Sequence, residues 1–114
     1  MTYRCGDIVV VPFPFTDLSA SKRRPALLIQ PLGEYGDWLC LPVTSQGAHP
    51  ASLPLRETDF VDAPLPRPSW IRLNRPTILN DSLMLGRAAT LRTEILTDIS
   101  RAFCTTFGCK QLLV

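Results

Sequence analysis

Residues 6–30, GDIVVVPFPFTDLSASKRRPALLIQ, constrain the fold more than any other stretch: two apolar runs are joined by a turn-rich connection that ends in three consecutive cations. Ile8 to Val11 is β-branched throughout and Ala26 to Ile29 is again apolar, while Pro12, Pro14, Thr16, Asp17, Ser19 and Ser21 are residues that punctuate chains. The spacing predicts a strand over 8–12, a second over 25–30, and a basic loop between them. The first strand is apolar on both faces, so it belongs in the middle of a small, closed or highly curved sheet and not at an exposed edge. Phe13 and Phe15 read as aromatic anchors at the base of the loop, with stacking on a nucleotide base as the alternative. Lys22, Arg23 and Arg24 stand directly against the rigid Pro25 and a buried strand. A charge run is ordinarily a solvated face; cations held this rigidly are better suited to an anionic ligand.

Beyond the second strand, Pro31 and Gly33 predict a break, with a turn over 33–37. Residues 38–44, WLCLPVT, form a third strand with Thr44 and Val43 on opposite faces, which leaves the Thr44 hydroxyl at a strand end beside Ser45, Gln46 and Gly47. There it either bonds the turn or faces a ligand. A short strand over 52–55 and a proline-bearing, rigid excursion over 58–68 lead to a strand over 69–73, SWIRL. On it Trp70 and Arg72 share one face and Ile71 and Leu73 the other, so Arg72 points away from the aliphatic side. Residues 77–79 resume an apolar stretch, and Asn80-Asp81-Ser82 turns the chain toward 83–91.

The period then changes. Leu91, Ile95, Leu96, Ile99, Ala102, Phe103 and Phe107 recur at three- and four-residue steps, predicting an amphipathic helix over 94–106 with Thr93 as N-cap and Gly108 at C′. Five or six short strands followed by one helix, with no internal repeat, predict a single domain over 1–114. Its expected fold class is mainly β: an SH3-like, curved antiparallel barrel with a C-terminal helix.

With 46% apolar and 19% charged residues the chain is globular and not a disordered tail. A net charge of +2 neither demands nor excludes nucleic acid, so distribution decides: Lys22, Arg23, Arg24, Arg72 and Arg75 make one cationic face if the strands bring them together. Cys5, Cys40, Cys104 and Cys109 form no C-x-x-C pair and His49 is the one imidazole available, so no metal and no cofactor is expected. The sequence lacks a charged start followed by an apolar h-region, and no apolar run approaches the roughly 20 residues of a membrane span. The expectation is a reduced cytoplasmic protein, with no membrane partner, in which Cys40 and Cys104 are small buried hydrophobes.

Three blocks fall in one order: Gly6-Asp7-Ile8-Val9 with Arg24-Pro25-Ala26-Leu27-Leu28-Ile29, then Pro42-Val43-Thr44-Ser45, then Trp70-Ile71-Arg72-Leu73-Asn74-Arg75-Pro76-Thr77-Ile78. In order and spacing they resemble the toxins of the MazF/PemK (Kid) family of toxin–antitoxin endoribonucleases, over nearly the whole chain. The resemblance implies the MazF/Kid/CcdB-type toxin fold. It also implies a sequence-specific, metal-independent endoribonuclease (an mRNA interferase) acting on single-stranded RNA, a cognate antitoxin that wraps over the site, and a homodimer. The family's principal catalytic pair, the Arg of the RP motif and the Thr of the PVT/S segment, carries over onto Arg24 and Thr44.

The chemistry expected of such a site is attack of a ribose 2′-hydroxyl on the adjacent phosphate, ending in a 2′,3′-cyclic phosphate. Arg24 offers a planar fork for two phosphate oxygens that Lys22 cannot reproduce, and Thr44 can donate to the same oxygens. Arg72 and Asn74 are expected to touch substrate together with Lys22, Arg23 and Arg75, and Ser45 and Gln46 to read base edges. Two departures from the family leave the proton acceptor open: Arg72-Leu73-Asn74 stands where some members have Arg-x-Asp, and no histidine lies between Thr16 and Lys22. Two other classes compete: a non-cleaving toxin acting by protein contact, as the gyrase-poisoning CcdB toxins do, and a plain SH3-like binding module.

Overall fold

The β-branched run near the start of the chain becomes an interior strand, paired on both sides. In the computed structural model, which describes residues 2–13 and 22–108, β1 (Asp7–Phe13) lies between β2 (Lys22–Leu32) and β7 (Gly86–Thr90). β3 (Asp37–Thr44) pairs with the far side of β2, then β5 (Ser69–Arg72), then β4 (Ser52–Leu55); β6 (Thr77–Asn80) pairs with the first half of β3. Every pairing is antiparallel. The helix α1 (Thr93–Thr106) closes the chain. The curved antiparallel sheet with a C-terminal helix is the fold class expected, and the two short helical turns, Glu57–Asp59 and Asp81–Leu83, lie in the connections.

Alternation along β1 explains why both faces of the sheet are apolar. Ile8 joins Leu27, Leu41, Val43, Ile71 and Leu73 on one face, which α1 covers with Ile99 and, from its flanks, Ile95, Leu96, Ala102 and Phe103. Val9 and Val11 project to the other face with Ala26, Leu28, Trp38, Cys40 and Met84. Two hydrophobic layers on a single sheet require the continuous apolar runs seen in β1, β2 and β3.

Several boundaries differ from the expectation. Lys22, Arg23 and Arg24 belong to β2 and not to the preceding loop, because β1 extends far enough to pair Phe13 with Lys22, Pro12 with Arg23 and Val11 with Arg24. Pro31 does not break β2. An extra residue between Leu28 and Gln30 bulges the strand, and Pro31 then pairs with Trp38 beyond the end of the β1 ladder, on an edge where a strand proline is tolerated. The turn over 33–36 is as expected, with Gly36 at φ 87°. The 69–73 strand ends at Arg72, and 83–91 holds only the shorter β7. Thr93 is not the N-cap: Arg92 holds that place without a side-chain cap, and the helix entry is anchored by Arg92 donating from its backbone to Asp59 O (2.9 Å) and from Nε to Thr58 O (2.9 Å). Cys40 is buried as expected, but Cys104 is half-buried at the rim of α1 and Cys5 is exposed. The stretch from Pro14 to Ser21, the Phe13 and Lys22 side chains and Cys109 lie outside the described residues.

Candidate active site

The ladder between β2 and β3 runs from Leu32–Asp37 down to Ala26–Pro42 and stops. Continued by two residues, the same register would set Pro25 opposite Val43 and Arg24 opposite Thr44. Gly6 donates to Leu28 O (2.8 Å), which turns the peptide groups of 24, 26 and 28 toward β1 and those of 25 and 27 toward β3. Pro25 therefore stands where β2 would have to offer an N–H to β3, and has none. The strands part at that point. β2 continues alone against β1, while β3 turns to a different neighbour, Val43 pairing with Ile71 and Thr44 with Trp70 of β5.

Two clefts open from this fork, of about 570 Å3 and about 440 Å3. Arg24, Pro25, Val43, Thr44 and Gln46 line both, so the expected catalytic pair stands where they meet. Arg23 and Ser45 line the first, together with Arg67 and Ser69. Arg72 and Arg75 line the second, together with His49 and Thr77. The shared face is set by strand parity: Arg24 lies opposite Val11, Thr44 opposite Trp70, and Arg72 follows Trp70 by two, whereas Ile71 and Leu73 enter the helix-side core. Asn74, in the exposed turn after β5, lines neither cleft, and the Lys22 side chain is outside the described residues.

Thr44 Oγ1 accepts from the Gln46 amide (3.1 Å). That bond uses only a lone pair, so the turn-bonding reading of Thr44 holds while the hydroxyl keeps its proton to donate into the cleft. Arg72 is half-buried, and its Nε is fully buried with no hydrogen-bond partner among the described residues. A buried donor left this way costs about 1–3 kcal/mol, more when charged, which an anion in the cleft would recover. No aspartate or glutamate among the described residues lines either cleft. Nor do three His, Cys, Asp or Glu side chains converge anywhere among them in a metal-binding group.

The connection from β3 to β4 forms one wall and is pinned at four points. Gln46 is held by Thr44. Gly47 sits flat on the Trp70 indole, where a Cβ would come within 2.7 Å of the ring. Ser52 Oγ donates to His49 O (2.8 Å), and Leu73 N donates to Ala51 O (2.9 Å), with Ala51 itself at φ 55°. Sequence reasoning did not single out Arg67 or His49 as site residues. Arg67 arrives on the excursion that the buried Asp59 ties down by accepting from Arg56 N (2.8 Å), and no local pattern marks it.

A curled antiparallel half-barrel with one C-terminal helix is the fold of the MazF toxins. The chain aligns with Mycobacterium tuberculosis toxin MazF-mt6 at 12% identity and a TM-score of 0.65, covering 90% of this chain and 96% of that one. It aligns with the MazE-MazF (Form-II) structure from Deinococcus radiodurans at 19% and 0.69, covering 95% and 97%. An endoribonuclease in complex with its cognate antitoxin from Mycobacterial species gives 12% and 0.72, covering 94% and 96%. Among curated proteins none matches this sequence. The family described as PemK-like, MazF-like toxin of type II toxin-antitoxin system matches residues 4–107, and this chain belongs to it.

Proposed function

We propose that residues 1–114 act as one toxin domain, a sequence-specific endoribonuclease that cleaves single-stranded RNA in the cytoplasm by attack of a ribose 2′-hydroxyl on the neighbouring phosphate. The observation that supports this reading is the fork itself: Arg24 and Thr44 face each other across parted strands at the junction of two clefts lined by arginines. Arg24 grips two oxygens of the phosphorane, and Thr44 donates to the charge that develops there. Arg72, whose Nε has no partner among the described residues, and Arg75 hold the strand on one side of the scissile phosphate and Arg23 on the other, with Lys22 and Asn74 adding contacts to RNA. Ser45 and Gln46, on the exposed turn after β3, meet base edges. The products are a 2′,3′-cyclic phosphate and a 5′-hydroxyl. Attack by an internal hydroxyl asks for proton transfers and cations, so no metal takes part.

The solved relatives that carry a MazE or cognate antitoxin support an antitoxin as partner here. In this reading the antitoxin lies over the fork and the active species is a homodimer. The test is an RNA oligonucleotide with a single 2′-deoxy sugar at the cleaved position. It is expected to bind and stay intact, while the all-ribose strand is cut equally well with and without EDTA. Cleavage of the deoxy strand, or dependence on added magnesium, overturns the mechanism.

A further inference from the structure

The reaction needs a group to take the 2′-hydroxyl proton, and the clefts offer few. Their charged side chains are Arg23, Arg24, Arg67, Arg72 and Arg75, which keep their protons in water, and no carboxylate is among the described lining residues. Imidazole is the side chain that ordinarily exchanges a proton between about pH 5 and 8. The chain has one histidine, and it stands in this site: His49 lines the same cleft as Arg24, Thr44 and Arg72. Its position is built and not incidental. The His49 carbonyl is held by Ser52 Oγ, the preceding Gly47 is seated on Trp70, and the following Ala51 carbonyl is tied to Leu73 N.

We propose that His49 is the proton acceptor for the attacking 2′-hydroxyl, a role that rests on the ribonuclease reading above. An imidazole nitrogen takes the proton as the O2′–P bond forms. The P–O5′ bond breaks with its electron pair on the 5′-oxygen, which takes a proton from a solvent water, and the imidazolium returns its proton to the hydroxide left behind. Facing His49 in the cleft are Arg24 and Pro25 of β2, Thr44 and Gln46 at the end of β3, Arg72 of β5, and Arg75 and Thr77 on the way into β6. The charged members of that set are all arginines, which draw the phosphate against the acceptor.

The test compares wild type, His49→Gln and His49→Ala on an RNA strand that the wild type cleaves. Both variants are expected to bind the strand as before and to lose about 10²–10⁴ in turnover. The acid limb of the wild-type pH–rate profile should vanish in His49→Gln, and added imidazole should return activity to His49→Ala, which also shows that variant to be folded. A substrate whose 5′-oxygen is replaced by sulfur, a leaving group that needs no proton, should not rescue His49→Gln. Rescue by that substrate would move the residue to the leaving group and overturn the base role. His49→Gln turning over like the wild type, with its acid limb intact, overturns the role and leaves the ribonuclease reading standing. A wild-type chain that cleaves no RNA overturns both.

Discussion

The two ends of β1 carry arginine–threonine clusters of opposite kind. At its start Asp7 is fully buried, and accepts from Arg87 Nε at 3.0 Å, Thr90 Oγ1 at 2.9 Å and Arg4 N at 2.8 Å. At its far end, opposite Val11, Arg24 gathers with Thr44 and Arg72 around clefts that no described carboxylate lines. The residue types are nearly the same, and among the described residues the acid is the difference. Where it is present, donors and acceptors are matched inside the protein and the cluster joins β1 to β7. At the fork the cations and the hydroxyl line open clefts, where a phosphate can reach them.

The comparison can be broken most directly at the joint. Asp7→Ala leaves a desolvated Thr90 hydroxyl and removes the fixed partner of Arg87, and is expected to cost about 3–5 kcal/mol of stability in urea or thermal unfolding. A loss under about 1 kcal/mol would class the cluster with ordinary exposed ion pairs. At the fork the effect should fall on rate and not on stability. Thr44→Val and Arg24→Lys should each lower turnover by about 10² or more, some 2.7 kcal/mol of barrier, with little change in melting temperature or RNA affinity. Parallel losses in binding and turnover would reduce Arg24 to electrostatic steering. A smaller effect sharpens the picture of the loop wall: Gly47→Ala drives a methyl into the Trp70 ring and should cost about 1–3 kcal/mol while also lowering turnover, because Gln46 and His49 move with the loop.

The smallest effect tests the buried layer beneath the fork. Burial pushes the Cys40 thiol up from an ordinary 9.0 to about 12, so the folded chain favours its neutral form. That contribution is complete below pH 9 and is lost as the pH climbs from there toward 12, amounting to about 1 kcal/mol by pH 10. Unfolding measured from pH 8 to 10 should show the decline, and Cys40→Ala should flatten it. A wild-type curve as flat as the variant's would mean that the thiol is not held neutral by its surroundings.

The layered fold was readable because its signals are local: β-branched runs mark β1 and β2, and a three–four period marks α1. Arg24 and Thr44 were readable through short motifs with fixed order. What escaped depends on partners distant in sequence. The local sequence puts the cations in a loop, because nothing near them shows that β1 reaches Phe13 and keeps β2 paired as far as Lys22. Asp7 read as part of a turn, since its partners Thr90 and Arg87 lie some eighty residues away. His49 stands on a loop that Gly47 seats on Trp70 of β5, a contact between a loop and a strand some twenty residues on that no spacing records.

Pro25 has a further consequence. An ordinary residue there would offer β3 one more N–H, opposite Val43, and the two strands would be free to zip past the point where they now part. The clefts exist because one rung of the sheet cannot be made, so on the ribonuclease reading proposed above, selection for tighter folding at this position runs against selection for activity. Chains that drifted toward greater thermal robustness through Pro25 would be expected to arrive there as well-folded, inert barrels.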